Sequence, residues 1–256
     1  MVFSSLEFLF LFLPIFLVLY YCFADKYRNG LLFAGSILFY GLGEPTYLFL
    51  ILYSVLVNYL FGLLISRCNN YPIRKKLLLI LALLYNFGLL FYFKYMDFFL
   101  ENINFVLHEN GSNLQFSLLN LVLPLGISFY TFQIVSYIVD VYRGTVPVET
   151  SFVNLGAYLC MFPQLVAGPI VRYIDIESQF SNRKPQINAV SSGIERFIIG
   201  LSKKVLIANT MAQIADEIFN TNISEISTPI AWIGAFAYAM QIYFDFSGYS
   251  DMAIGL

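Results

Sequence analysis

Long apolar runs separated by short polar segments dominate this sequence. Seven of these runs are long enough to cross, or nearly to cross, a hydrocarbon layer of about 30 Å. A helix satisfies its own backbone hydrogen bonds, so such runs are typical of membrane helices. The pattern predicts an all-α, polytopic integral membrane protein with about seven membrane helices. The runs cover residues 6–23, 31–43, 46–66, 77–96, 118–139, 193–208 and 230–256.

Basic residues cluster at alternate ends of the runs and predict their orientation. Lys26 follows the first run, Arg74 lies in the basic segment after the third, and Arg143 follows the fifth. Lysine and arginine accumulate in cytoplasmic loops, so we expect these segments inside the cell and the N-terminus outside. Residues 97–116 and 210–228 carry acids without lysine or arginine. We expect both to be exposed loops on the outer face.

The segment between Ser151 and Pro185 departs from this pattern. Pro163, Gly168 and Pro169 interrupt its apolar stretch, and the basic residues that follow would lie on the wrong side after a straight crossing. We interpret it as a re-entrant element whose central sequence, MFPQLVAGPIVRY, lines a cavity open to the cytoplasm. An ordinary proline-kinked helix is the alternative.

Composition and charge agree with a membrane protein. Hydrophobic residues make up 59% of the chain and charged residues 12%, against about 25% charged residues in soluble domains. The net charge of −2 leaves no basic excess for binding nucleic acid. The three cysteines are widely spaced and predict no metal site. The first run lacks a basic residue before it and a cleavage site after it, so we expect an uncleaved helix.

The last run, which ends in QIYFDFSGYSDMAIGL, contains two carboxylates. At helical spacing Tyr238, Gln241, Asp245 and Gly248 share one stripe, which we expect to face inward because a carboxylate in lipid costs about 2.5–3.5 kcal/mol. A hydrogen bond from Asp245 to a neighbouring helix is an equally simple interpretation. Buried-looking polar and small residues form a candidate set for a tunnel or substrate path: Gln164, Gly168, Pro169, Gln241, Asp245, Ser247, Tyr249 and Asp251.

Four stretches carry a resemblance to a known family. They are the opening MVFSSLEFLFLFLPIFLVLYY, the central MFPQLVAGPIVRY, GLSKKVLIAN, and the final YFDFSGYSDMAIGL. In this order they resemble the bacterial, alginate-type polysaccharide O-acetyltransferase branch of the membrane-bound O-acyltransferase family. The resemblance implies a single membrane domain over residues 1–256 in a bacterial cytoplasmic (inner) membrane. It also implies a tunnel, without a bound cofactor, in which a cytoplasmic thioester donor, acetyl-CoA or an acyl carrier, meets an extracytoplasmic acceptor. That acceptor is a polysaccharide such as alginate, or a transfer protein.

Basic residues form a second candidate set, on the donor side. Arg196, Lys203 and Lys204 share one face of the helix that starts near Gly193, and Arg172 follows the re-entrant element. Coenzyme A and the phosphopantetheine arm of a carrier both carry phosphates, for which lysine and arginine are natural partners. The alternative is that these residues are membrane anchors that extend to lipid headgroups.

The family resemblance also implies an essential histidine in a tryptophan-histidine motif beyond the DFSGYSD signature, and residue 256 precedes any such motif. We therefore expect these residues to correspond to about the N-terminal half of a full-length relative. The one histidine, His108, lies in the polar stretch ENINFVLHENGSN, which we interpret as a solvated loop. The 256 residues alone are then expected to be catalytically silent, because acyl transfer to a hydroxyl needs a base.

Two function classes follow from these features. The first is a membrane O-acetyltransferase, or part of one. The second is a polytopic transporter or channel, because intramembrane acids and broken helices also mark substrate paths. No internal repeat relates the two halves of the sequence, which weakens the second class. A truncated product with a structural role alone is a third interpretation.

Cysteine-accessibility labelling tests the predicted orientation. Cysteines introduced at Lys26, Arg74 and Arg143 should be protected from an impermeant thiol reagent in intact cells, because the basic segments are expected in the cytoplasm. Labelling of any of the three from the outer face would overturn the orientation.

Overall fold

The computed structural model describes residues 3–112, 114–165, 168–181, 183, 187–222 and 226–256, and all regular secondary structure in these ranges is helical. The predicted all-α class is therefore confirmed. In chain order the elements are a π-helical turn (Phe8–Phe12), α1 (Leu13–Cys22), α2 (Asp25–Gly43), a 3-10 turn (Pro45–Tyr47), α3 (Leu48–Arg67), α4 (Pro72–Lys94), α5 (Met96–Glu109), α6 (Ile127–Arg143), α7 (Phe152–Cys160), α8 (Phe162–Leu165), α9 (Tyr173–Ser181), α10 (Ile187–Ser202), a second π-helical turn (Lys203–Ala208), α11 (Asn209–Phe219) and α12 (Thr228–Gly255).

The chain forms two compact units. The first comprises Met1–Gly43, Met161–Pro169 and Ser181–Leu256, and the second comprises Glu44–Cys160 and Ile170–Phe180. The central sequence MFPQLVAGPIVRY thus contributes residues to both units. The organisation as a single membrane domain stays a prediction.

An aromatic cluster around Phe162 forms the core of the first unit. Phe8, Phe12 and Phe16 recur every four residues, so one side of the N-terminal helical stretch presents three rings, whose centroids lie 5.1–6.1 Å from that of Phe162. The backbone N–H of Phe162 donates a hydrogen bond to the buried Ser36 hydroxyl at 3.1 Å. Aromatic pairs of this kind contribute about 0.5–1.5 kcal/mol each beyond the area that they bury. The cluster therefore holds α8 against α1 and α2.

The second unit contains the two helices that, among the described residues, are long and apolar enough to cross a membrane by length and composition. They cover Pro45–Arg67 and Pro72–Lys94, and Phe8–Cys22 is a shorter apolar helix in the first unit. Asn58 and Asn86 form a reciprocal amide pair between α3 and α4, with N···O distances of 3.0 and 2.7 Å. Both side chains are buried.

The predicted fifth run, 118–139, is only half helical. The chain from 118 to 126 is irregular, and α6 begins after Gly126, whose φ of +73° lies in the left-handed region. The Asp97 carboxylate accepts hydrogen bonds from the backbone N–H groups of Leu119 and Asn120 at 2.8 and 2.9 Å. A side chain from another element therefore satisfies this backbone, which apolar content alone does not indicate.

Two segments expected to be loops contain helices. Residues 97–116 include most of α5, and residues 210–228 include most of α11. Both expectations rested on polar content and overlooked the spacing of the polar residues, which recur at helical steps. Part of the second segment, residues 223–225, lies outside the described residues.

The segment between Ser151 and Pro185 is not one kinked helix. Met161 separates α7 from α8, and residues 168–172 have no regular structure before α9 begins. The proline-kinked alternative is therefore wrong in the part of the segment that the structure describes. Five residues of the segment lie outside that part: Val166, Ala167, Asn182, Lys184 and Pro185.

A mutant cycle tests the Asn58–Asn86 pair. Asn58→Leu should lower the free energy of unfolding in detergent by about 1–2 kcal/mol, because the amide of Asn86 loses its partner on the facing helix. Adding Asn86→Leu should cost less than its own single substitution. Asn102→Leu is the matched control, since the Asn102 amide donates only to the carbonyl of Phe98 on its own helix. Strictly additive losses would show that the pair is not coupled.

Candidate functional site

Close glycine contacts pack α10 and its π-helical turn against α12. A Cβ atom added at Gly200 would lie 2.6 Å from the carbonyl oxygen of Gly248, and one added at Gly248 would lie 2.7 Å from that of Gly200. Gly193 and Gly255 repeat this reciprocal contact at 2.5 Å. The two pairs are seven residues apart on each helix, so the backbones approach closely along two helical turns.

Three cations pair with the two carboxylates of α12 beside these glycines. Arg196 lies on α10, and Lys203 and Lys204 lie on the π-helical turn that follows it. Asp251 accepts from Lys203 Nζ at 2.6 Å and from Arg196 Nε at 3.1 Å. Lys204 pairs with Asp245. The Asp251 side chain is 17% exposed, and two cations compensate its charge. The structure thus brings together the path candidates of α12 and the donor-side candidates of α10, which sequence reasoning had treated separately.

The two lysines lie at the start of the π-helical turn. Lys203 also donates to the Ser247 hydroxyl at 3.2 Å, and the turn closes where the N–H of Asn209 donates to the carbonyl of Lys204. π-Helical turns are rare and frequently occur at functional sites. Here consecutive lysines reach two different carboxylates on the facing helix.

The two carboxylates have different surroundings. Asp245 is 44% exposed and its pair involves Lys204 alone, whereas Asp251 is more buried and contacts two cations. Three cations and two acids leave one excess positive charge in the cluster. Asp245 is consequently the more accessible acid, and Arg196, at 48% exposed, is the most accessible cation of the cluster.

The inward stripe predicted for α12 is correct only in part. Gly248 is buried, but Tyr238 is half exposed, so its predicted inward direction is wrong. The buried side of α12 consists mainly of small residues, because α10 and α11 pack closely there. At Gly234, for example, an added Cβ would lie 2.8 Å from the side chain of Ile218. Oε1 of Gln241 is buried and has no hydrogen-bond partner among the described residues.

Tyr249 belongs to the aromatic core of the first unit. Its ring stacks on Phe3 at 4.7 Å, and Phe3 contacts Phe162 at 6.0 Å. This candidate therefore connects α12 with the start of the re-entrant sequence by ring packing.

The re-entrant candidates form a compact turn. Gln164 is 6% exposed and its carbonyl accepts from the N–H of Gly168 at 3.1 Å. A Cβ at Gly168 would lie 2.3 Å from the Cα of Gln164, so this position requires glycine. Gly168 is buried and Pro169 is half-buried.

Arg172 lies in the second unit, whereas the other basic candidates belong to the first. Its Nη2 lies 2.9 Å from both carboxylate oxygens of the buried Asp140. The flanking residues are also fixed, since the Tyr158 hydroxyl donates to the carbonyl of Val171 at 3.0 Å and the Tyr173 hydroxyl donates to Glu149 at 2.6 Å. Asp140 was missed by sequence reasoning. An acid within the apolar stretch SYIVDVY was the available signal, although its partner lies 32 residues away.

His108 lies in the last turn of α5 and is exposed. The expected loop is therefore helical, while the expected exposure is confirmed. His108 belongs to the second unit, whereas Asp245 and Gln164 belong to the first.

Comparisons with known proteins give similarity across the chain. Residues 146–256 match the membrane-bound O-acyltransferase family. A probable alginate O-acetylase of Pseudomonas aeruginosa is 43% identical over all of the chain and 49% of its own length. A peptidoglycan O-acetyltransferase of Helicobacter pylori is 36% identical over all of the chain and 53% of its own length. A teichoic acid D-alanyltransferase of Bacillus subtilis is 28% identical over 54% of the chain and 35% of its own length. The chain thus spans about half the length of the curated relatives that it matches in full.

Removing the two cations of Asp251 tests the cluster. Arg196→Met and Lys203→Met should each destabilise the protein slightly, because one cation remains. The free energy of unfolding of the double variant should fall by more than the sum of the two single losses, since it leaves a partly buried carboxylate without a cation. Thermal unfolding of the purified protein in detergent measures the losses.

The triple variant that adds Asp251→Asn is the matched control. It should regain much of the stability lost in the double variant, because the stranded charge is gone. Additive losses with no recovery in the triple variant would contradict the ion-pair arrangement.

Proposed function

We propose that the full-length protein is a membrane O-acetyltransferase. The premise is that this sequence belongs to the membrane-bound O-acyltransferase family. The full-length protein moves acetyl groups from a cytoplasmic thioester donor toward an extracytoplasmic polysaccharide. The observation that carries this proposal is an alignment with a probable alginate O-acetylase. It extends over the whole chain, and 43% of the residues are identical.

The names of the relatives support the proposed chemistry. Two are named for O-acetyl transfer and one for D-alanyl transfer, and alginate, peptidoglycan and teichoic acid are the polymers named. Acetyl transfer to a polysaccharide such as alginate is therefore the best-supported reaction for this chain. The donor that we propose is acetyl-CoA or an acyl carrier, and the acceptor is the polymer or a transfer protein on the outer side.

The residues of this chain are proposed to form the donor side of the reaction path. Asp245 and Gln241 offer a half-exposed carboxylate and a buried amide oxygen on one stripe of α12. Arg196 and Lys204 supply positive charge for the phosphates of the donor. Gln164 and Gly168 shape the re-entrant turn. The base that removes the acceptor's proton is proposed to be a histidine that follows residue 256, as the resemblance implies.

The membrane arrangement is also a proposal. We place the protein in the bacterial cytoplasmic membrane as a multi-pass protein with about seven helices and a re-entrant element at MFPQLVAGPIVRY. The distribution of basic residues supports the expected orientation of the membrane segments. The irregular backbone at residues 168–172 supports the re-entrant element.

A transporter or channel is the second candidate, and the observations favour it less. Its main support was the presence of carboxylates in an apolar helix. Both carboxylates have cationic partners within the first unit, which supplies a reason for their presence without a transported ion.

Substitution of Asp245 tests the proposal. In the full-length protein, Asp245→Ala should abolish or greatly reduce polysaccharide acetylation while the protein remains inserted in the membrane. The expected loss follows from the accessible position of this carboxylate and its single cationic partner. Acetyl content of the polymer from a complemented deletion strain measures the effect.

Asp216→Ala is the matched control, because Asp216 is an exposed acid on α11 of the same unit. It should leave acetylation unchanged. Wild-type acetylation in the Asp245→Ala strain would reduce the polar stripe to a packing feature.

A further inference from the structure

Helix α5 has an apolar face that is largely exposed. None of its 14 residues is buried, and five large apolar side chains are exposed. Phe99, Ile103 and Val106 follow at steps of four and three residues, so they share one side of the helix, and they are 46%, 43% and 56% exposed. Phe98 and Phe105 lie on the flank of this side. In water such a patch would be unfavourable, and patches of this kind mark interaction or membrane surfaces.

The opposite side of α5 is polar and is occupied by another segment of the chain. Asp97, Glu101, Asn104 and His108 follow at steps of four, three and four residues, so they form one stripe. The amide of Asn104 both donates to and accepts from the backbone of Phe116, at 2.8 and 2.7 Å. The Asp97 carboxylate accepts from the backbone N–H groups of Leu119 and Asn120. The stripe therefore satisfies backbone groups at three positions of the irregular segment. Side chains thus take the place of water along this segment, as irregular backbone near a membrane requires.

The position of α5 specifies what covers its apolar face. It follows α4, an apolar helix of 23 residues that is long enough to cross a membrane. Only Tyr95 separates the two helices, and Phe99 of α5 folds back to within 5.0 Å of Phe91 of α4. Lys94 and Tyr95 lie at the junction, where amphipathic aromatic and basic residues mark the edge of a bilayer.

We propose that α5 lies in the plane of the membrane surface, with Ile103 and Val106 inserted among the lipid acyl chains. A crossing is excluded by length, since 14 residues of helix extend about 21 Å, less than a hydrocarbon layer of about 30 Å. The polar stripe then faces the 114–120 segment and not the lipid. This arrangement is that of an interfacial amphipathic helix, and it requires only that the protein is in a membrane.

Spin-label accessibility tests the proposal. In the full-length protein, with its native cysteines replaced by serine, labels are introduced one at a time at Ile103, Val106 and His108. The protein is reconstituted in phosphatidylcholine vesicles, and collision rates with oxygen, which concentrates in lipid, and with a water-soluble nickel complex are measured. Labels at 103 and 106 should favour oxygen, whereas the label at 108, on the opposite side of the helix, should favour nickel.

Three results would overturn the proposal. Low access of both reagents at 103 and 106 would show that protein covers the face. Preference for nickel at these positions would place the face in water. Preference for oxygen at 108 as well would place the whole helix inside the bilayer.

Discussion

The charge pairing of α10 and its π-helical turn with α12 is the interaction on which the candidate site depends. An apolar helix can carry Asp245 and Asp251 because cations from the facing helix lie within contact distance. That distance is available only because the glycines let the two backbones meet. The sequence GLSKKVLIAN supplies a glycine and two lysines, and YFDFSGYSDMAIGL supplies the matching glycines and acids. These two family-like stretches are two halves of one contact.

This contact changes how the charged residues can act. Free lysines would bind any anion near the membrane, whereas lysines paired with carboxylates keep only a small excess of positive charge. The cluster therefore separates a rigid part, centred on Asp251, from a more accessible part, centred on Asp245. The phosphate of the proposed donor would meet side chains that are already fixed, which lowers the entropy lost on binding. Arg172 is fixed in the same way, because its guanidinium group pairs with the buried Asp140.

Sequence reasoning predicted features that depend on local pattern. The run 230–256 corresponds closely to α12, Thr228–Gly255, and the first run corresponds to the helical stretch that ends at Cys22. It could not predict features set by partners distant in the sequence. Tyr238 turns outward because small residues such as Ala237 occupy the packed face, and the partner of Asp140 is 32 residues away. Helix α5 is a different case. The number of polar residues in 97–116 suggests a loop, whereas their spacing indicates a helix.

Charge reversal across the contact tests it most directly. In the full-length protein, Lys204→Glu should lower the melting temperature in detergent, because two negative charges then face each other at Asp245. Adding Asp245→Lys should restore most of the loss, since the ion pair is formed again with its charges exchanged. Adding Asp216→Lys instead should restore nothing, because Asp216 is an exposed acid on α11. No recovery with Asp245→Lys, or equal recovery with both second substitutions, would contradict the register that brings the lysines and acids together.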